Sequence, residues 1–224
     1  MTNNEHAILE TRAQRLNVAK QVGDFVGGRF LLAGGALTRG EPKDFDIYGV
    51  ERPLDLSAIK WRVSPHLILS NSSNAITMEL CGQVVQFCNY FKSTPQKTIE
   101  AFDFAHCQAG AVFSRDGNLL EIVSTPAFWK FEETKSTWYT GSEYPLSSLM
   151  RCMKFHQRGL FKDNAHKVAA VEILCDIVRR GFLDEGDFCD QCASISETFR
   201  ELNKVDAESL FELLRTKKTE EGKE

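Results

Sequence analysis

The chain has 224 residues, of which 42% are hydrophobic and 26% charged, and its net charge is −4. Such a balance describes an ordinary globular protein with room for one large domain, or a domain with an appendage. It excludes a global basic field that would draw in nucleic acid, so any RNA contact must come from a local patch and no DNA duplex is expected as a partner. No apolar run approaches the roughly 18 residues of a membrane span, and the polar start MTNNEHAILETR does not read as a signal peptide. Seven scattered cysteines then read as reduced thiols, and the expected location is cytoplasmic.

His6 to Val26 carries apolar residues at Leu9, Ala13, Leu16, Ala19, Val22 and Val26, the spacing of one helix, with Gly27-Gly28 as its stop. The most informative stretch follows, Arg29 to Val50, RFLLAGGALTRGEPKDFDIYGV. Phe30 to Ala33 reads as a buried strand, Gly34-Gly35 as a turn, and Asp44-Phe45-Asp46-Ile47 as a second strand. Residues two apart in a strand share a face, so Asp44 and Asp46 point one way while Phe45 and Ile47 point into the core. Two carboxylates held side by side repel each other unless a cation sits between them, and hard oxygen ligands in that arrangement suit Mg²⁺ carrying nucleotide phosphates. A Gly-Gly turn just after a strand exposes backbone N–H groups and lets a phosphate come close. Arg39 and Lys43 flank this stretch as candidate phosphate contacts, arginine as a fork and lysine as a point charge.

Beyond Val50, a short helix is expected over Pro53 to Trp61, a strand over His66 to Ser70, and a turn at Asn71 to Asn74. Ala75 to Leu80 and Gln83 to Tyr90 read as a hairpin joined at Cys81-Gly82. Thr94-Pro95 starts a helix ending near Phe102; Ala105 to Ser114 and Leu119 to Val123 read as strands around the Asp116-Gly117-Asn118 turn. Thr125-Pro126 starts a helix through about Phe131, and Glu132 to Tyr144 reads as a polar linker. From Pro145 onward the pattern is helical only. Leu146, Leu149, Met150 and Met153 mark one apolar stripe, and Val168, Val171, Leu174, Cys175 and Val178 a second. Both helices stop at a glycine between a cation and an apolar residue, the setting of a Schellman ending. Two more helices are expected, one through Phe188 to Leu202 and one over Ala207 to Leu214. Arg151, Lys154 and Arg158 form a basic stripe opposite the apolar one on the first of these helices. Cys189 and Cys192 form a lone pair without further zinc ligands, which does not amount to a metal site. His156 and His166 flank the turn between the first two helices and read as surface residues.

The order apolar-Gly34-Gly35, spacer, Asp44-Phe45-Asp46-Ile47 resembles the signature of the polymerase-beta-like nucleotidyltransferases. Within that superfamily it is most similar to the head domain of the tRNA nucleotidyltransferase and bacterial poly(A) polymerase family, which includes short chains encoded by bacteriophages. The resemblance implies an α+β fold: a mixed-sheet nucleotidyltransferase head over residues 1–131, followed by a helical C-terminal subdomain over 145–216. It implies a Mg²⁺-dependent transfer of a nucleoside monophosphate from a nucleoside triphosphate to a hydroxyl, with Asp44 and Asp46 holding the metal and Gly34 and Gly35 the phosphates. Asp103 matches an aspartate of the family's nucleotide site, and Arg151 and Lys154 fall where the family's neck helix faces the nucleotide. The departures are equally specific. Gln86 stands where the family often has an acidic residue, and Ala101 and Phe102 stand where it usually has two arginines. Three outcomes stay open at this level: transfer to an RNA 3′ end, transfer to a protein or small-molecule hydroxyl, and a binding module with little or no turnover.

Overall fold

The structure is a computed structural model that describes residues 1–72, 74–184 and 186–188. The third and fourth expected helices and the pair Cys189 and Cys192 lie outside the described residues. The chain divides into two compact units, Met1–Thr134 and the part that begins at Lys135.

The first unit is built on a seven-stranded sheet of order β3-β4-β5-β2-β1-β6-β7. The strands are β1 (Phe30–Ala33), β2 (Phe45–Gly49), β3 (Ile68–Asn71), β4 (Ala75–Leu80), β5 (Gln83–Cys88), β6 (Ala109–Phe113) and β7 (Leu119–Ser124). Every neighbouring pair is antiparallel except β2 and β5, which run parallel. Helices α1 (Asn3–Ala13), α2 (Ala19–Val26) and α3 (Leu56–Arg62) contribute Leu9, Val22 and Ile59 to one core with Leu32, Ile47, Met78 and Phe87 of the sheet. Phe30 and Phe113, register partners on β1 and β6, stack with ring centroids 5.2 Å apart.

The two faces of this sheet are treated differently. β1 and β6 are buried along their whole length, as their unbroken apolar sequences require. On the second face the short helix α4 (Pro95–Glu100) lies against β6 and β7. Gly110 permits this packing: a Cβ there would stand 2.7 Å from Leu31 Cδ1 and 3.2 Å from Ile99 Cγ2. β2, β4 and β5 instead alternate buried and half-buried or exposed residues. Their second face carries Asp46, Tyr48, Thr77, Glu79, Gln86 and Cys88.

Several local expectations hold. Thr94 and Thr125 cap α4 and α5 (Pro126–Thr134) by accepting the N–H of Lys97 and Phe128. Cys81 and Gly82 both take positive φ, as a two-residue hairpin turn demands. Gly27, at φ 74°, closes α2.

Others are corrected. The single helix expected over His6 to Val26 is two helices. Gln83, from the β4–β5 hairpin, accepts the N–H of Asn17 and donates to the carbonyl of Arg15, so its side chain takes over backbone groups that a continuous helix would have paired. The strand expected from Ala105 begins at Ala109. Ala105–Cys107 forms a tight helical turn instead, and Gln108 anchors it by donating to the Phe102 carbonyl. Glu132 is no linker residue: α5 runs on to Thr134 and buries it. Arg12, on the inner side of α1, donates to both Glu132 carboxylate oxygens at 3.1 and 3.0 Å, and both side chains are less than a tenth exposed.

In the second unit the described residues form α6 (Pro145–Gln157) and α7 (Ala165–Arg180) and no strand. The faces they bury are not the ones the apolar periodicity suggests. α6 buries Pro145, Ser148, Cys152 and Phe155 while Met153 is exposed; α7 buries Ala169 and Ile173 while Val168, Val171, Leu174, Cys175 and Val178 are exposed or partly so. The helices meet along a seam rich in small side chains, which lies beside the Val/Leu stripe rather than on it. Gly159 ends α6 with the two Schellman bonds, Gly159 to His156 and Leu160 to Phe155. Gly181 ends α7 differently, with ψ −162° outside the left-handed helical region. Nor are His156 and His166 independent surface residues, because their rings stack at 3.7 Å.

Two predictions come from this architecture. Glu132→Ala strands the buried Arg12 charge and should destabilise the protein by about 3–5 kcal/mol. Arg39→Ala removes a side chain that also meets Glu132 but is 64% exposed, and should cost under about 1 kcal/mol. Urea unfolding of the two variants measures the difference. In the second unit, the pKa of His166 is lowered by burial first and then by the charges of His156 and Lys167, against a smaller opposing effect of a hydrogen bond with the Asp163 backbone. A lowered folded-state pKa means that the unfolded chain binds the proton more readily. The stability contributed by neutral His166 is therefore present above about pH 6.5 and lost as pH falls from there through the folded-state pKa. Helical circular dichroism during thermal melts between pH 5 and 8 should show this loss, and His166→Gln should flatten it.

Candidate functional site

The site is assembled where β1 ends and β2 begins. Gly34 follows β1 directly at φ 82°, a conformation that side-chain-bearing residues rarely adopt. It starts a tight helical turn, Gly34–Leu37, whose exit is pinned by the Thr38 N–H and hydroxyl, both donating to the Gly35 carbonyl. Arg12 donates to the Leu37 carbonyl at 2.7 Å, so the turn is tied to the buried Arg12–Glu132 pair. Gly35 is exposed, and among the described residues no atom beyond its own turn lies within 4 Å of the point where its Cβ would stand.

β2 then brings the carboxylates alongside. Ala33 pairs with Asp46, and a Cβ on Gly34 would stand 3.5 Å from Asp46 Oδ2. Asp44 sits two residues earlier, at the mouth of the strand, and both aspartates are half-buried while Phe45 and Ile47 are buried. The parallel pairing of β2 with β5 places Gln86 next to Asp46, and β4 places Thr77 next to Gln86. One row across this second face therefore reads Thr77, Gln86, Asp46, Ala33, Gly110, half-buried at the first three and buried at the last two. Gln86 donates through Nε2 to the Thr77 hydroxyl at 2.9 Å, and its Oε1 lies 3.6 Å from Cys88 Sγ.

Of the sequence-nominated residues, the head thus gathers Gly34, Gly35, Asp44 and Asp46 where β1 ends and β2 begins. Lys43 is exposed immediately before Asp44. Arg39 is held by Glu132, which accepts from its Nε at 2.8 Å. Asp103 is buried just beyond α4, beside Phe102. Arg151 and Lys154 belong to the second unit: Arg151 lies over the Phe155 ring of its own helix, 5.6 Å from the centroid, and Lys154 is exposed. Sequence reading missed Arg12 and Glu132, which fix the turn, and Thr77, which orients Gln86. Nothing local announces a pair 120 residues apart. Thr77 follows from the hairpin register once the parallel partner of β2 is known.

The donor set is all oxygen: two carboxylates and, one strand over, a carboxamide. That chemistry fits a hard divalent ion such as Mg²⁺, which keeps several waters or phosphate oxygens and asks for only one or two protein carboxylates. Among the described residues, no group of three or more His, Cys, Asp or Glu forms a cage that could hold a metal by itself. No described helix is long and apolar enough to cross a membrane.

No family model matches the sequence, and no curated protein matches it. Its fold does match solved structures. One is the Thermotoga maritima CCA-adding enzyme complexed with tRNA-CCA, with a TM-score of 0.50, 14% identity, and coverage of 92% of this chain and 53% of that one. Another is a CCA-adding enzyme in complex with CTP, with a TM-score of 0.50, 18% identity, and coverage of 88% and 49%. The chain spans about half the length of these structures. It shares with these two structures an α+β fold built on a mixed sheet flanked by helices.

Proposed function

We propose that this protein is a nucleotidyltransferase: an acceptor hydroxyl attacks the α-phosphorus of a nucleoside triphosphate, a nucleoside monophosphate is transferred, and pyrophosphate leaves. The observation that carries this reading is Asp46 set beside the left-handed Gly34 turn, with Asp44 two residues before it and both carboxylates half-buried. Asp44 and Asp46 would hold Mg²⁺, which when bound supplies Lewis-acid polarisation of the phosphoryl oxygens and activates a hydroxyl. Gly35 would present bare backbone to the phosphates, with no described residue beyond its own turn close to where a Cβ would stand. Lys43 supplies a mobile charge beside them, and Arg39, anchored through Nε, a more fixed one. Gln86 contributes a neutral oxygen next to Asp46, where a carboxylate would bind a cation more tightly. Asp103, within the same unit, is the further residue proposed for the nucleotide side of the reaction.

The acceptor we propose is the 3′ end of an RNA. This rests on the shared fold, since the solved structures are described with tRNA and with CTP. The net charge of −4 keeps a protein or small-molecule hydroxyl as the second reading. The neutral Gln86 keeps a nucleotide-binding module with weak turnover as the third. Incubation with each α-labelled triphosphate, Mg²⁺ and total cell lysate separates them, by label on RNA, on protein or on neither.

Asp46→Asn preserves shape and removes one charge from the donor set. Label transfer should fall roughly a hundredfold or more, the scale of several kcal/mol of lost transition-state stabilisation, while the melting temperature stays close to wild type. Unchanged transfer would place the chemistry elsewhere. Gly35→Val gives a complementary result, because its side chain enters open space on the ligand's side of the turn. The apo protein should melt as wild type does. Wild type at a hundredfold excess of triphosphate over Kd should gain about 2.7 kcal/mol, and the variant should lose most of that gain. A full shift in the variant would mean that the phosphates bind away from this turn.

A further inference from the structure

Charge is unevenly placed in the second unit. Between Arg151 and Lys167 the chain carries five cations, Arg151, Lys154, Arg158, Lys162 and Lys167, against the single carboxylate of Asp163, a formal +4 in a chain whose net charge is −4. These residues span the end of α6, the turn after it and the start of α7, which lie together at one end of the helix pair. There the His156 and His166 rings stack at 3.7 Å, and the Cys152 thiol meets the His166 carbonyl at 3.6 Å. Tyr144 and Arg180 meet at the opposite end, the guanidinium 5.9 Å from the ring centroid, and there Asp187 accepts a hydrogen bond from Arg180.

Lys154, Arg158, Lys162 and Lys167 are all exposed, and among the described residues none of the four enters an ion pair. The turn that carries Lys162 is fixed on both sides. The Thr137 N–H donates to the Leu160 carbonyl at 2.8 Å, and the Lys162 N–H donates to the Ser136 hydroxyl at 3.0 Å. Lys154 and Arg158 have a structural use, since cations favour the C-terminal end of a helix. Lys162 and Lys167 have no such use. They stand at the N-terminal end of α7, where the helix dipole favours anions, and no acidic residue lies in its first turn. His166 registers the local field: after burial, the charges of His156 and Lys167 hold its pKa below the ordinary histidine value. Four exposed, unpaired cations on a fixed turn, two of them set against a helix dipole, suit an extended polyanion.

We propose that the end of the helix pair bearing Lys154, Arg158, Lys162 and Lys167 is a docking surface for the phosphate backbone of single-stranded RNA, engaged by charge and not by sequence. The inference rests on the nucleotidyl-transfer reading for the RNA class of the acceptor, and is independent of the metal site. Fluorescence anisotropy of a labelled single-stranded RNA of mixed sequence, with the full-length protein at about 50 to 200 mM salt, tests it. Each single-strand phosphate contact contributes about 0.7 to the slope of log K against log salt, so wild type should show a slope of roughly −2 to −3. Lys162→Ala combined with Lys167→Ala should make that slope shallower by about 1 to 2 and weaken binding roughly tenfold, whatever the RNA sequence. Lys20→Ala combined with Arg179→Ala removes the same charge from exposed sites elsewhere, and should bind as wild type does. Asp46→Asn should also bind the RNA as wild type does, while its label transfer falls. The surface is overturned if the Lys162 and Lys167 charges can be removed without loss, or if the control pair loses as much. Failure of wild type to bind the RNA overturns it too, and retention on phosphatidylserine vesicles at the same salt would then assign the patch to a membrane. None of these results alters stabilisation by triphosphate or the effect of Asp46→Asn on transfer, which test the metal site separately.

Discussion

A guanidinium buried to within a few per cent of its surface must find oxygen for its N–H groups, or its desolvation costs several kcal/mol. Arg12 finds the two carboxylate oxygens of Glu132 and the carbonyl of Leu37. This set of bonds ties together three parts of the head that share no local sequence: the first helix, the end of the glycine turn and the last helix. Its geometry is bidentate toward the carboxylate, which fixes orientation as well as distance. The turn that carries Gly34 and Gly35 is therefore anchored from below by a charge pair that tolerates little displacement. Among the described residues, no atom beyond the turn itself lies close to where a Gly35 Cβ would stand, which suits the proposed approach of a phosphate to main-chain groups.

The same economy appears in the sheet. One face is committed wholly to the core; on the other, α4 lies against β6 and β7. Over β2, β4 and β5 that second face changes from apolar to half-buried Asp46, Tyr48, Gln86 and Thr77. Two half-buried carboxylates would be a poor choice for a surface with no other task, since each repels the other and neither supports the core. Their cost is intelligible if a cation and its phosphates complete the surface.

Much of this was legible in the sequence where the deciding forces are local. Thr94 and Thr125 are caps because their hydroxyls reach backbone N–H groups three residues on, and Cys81-Gly82 turns because both residues take positive φ. The alternation of Asp44, Phe45, Asp46 and Ile47 disclosed which side of β2 faces the core. Illegible were the features decided by distant partners. The break between α1 and α2 depends on the Gln83 side chain, and the burial of Glu132 depends on Arg12. In α6 and α7, periodicity located an apolar arc but not which edge of it would be packed. Ser148, Cys152 and Ala169 prevailed there, because small side chains let two helices approach closely. The place of Gln86 beside Asp46 needed the parallel pairing of β2 with β5, which no short-range pattern encodes.

The span between Arg12 and Glu132 also bears on how the chain is made. A ribosome releases Arg12 long before Glu132, with 120 positions between them. Until the second partner emerges, the first helix cannot bury its arginine without an uncompensated charge, and it is better left in water. β1 waits likewise for β6, some eighty residues later, before its second edge is paired. Strands held open in this way expose unpaired backbone during synthesis, and long-range pairing of this kind is slow. The bonds by which Arg12 holds the glycine turn can therefore be completed only after α5 has been made.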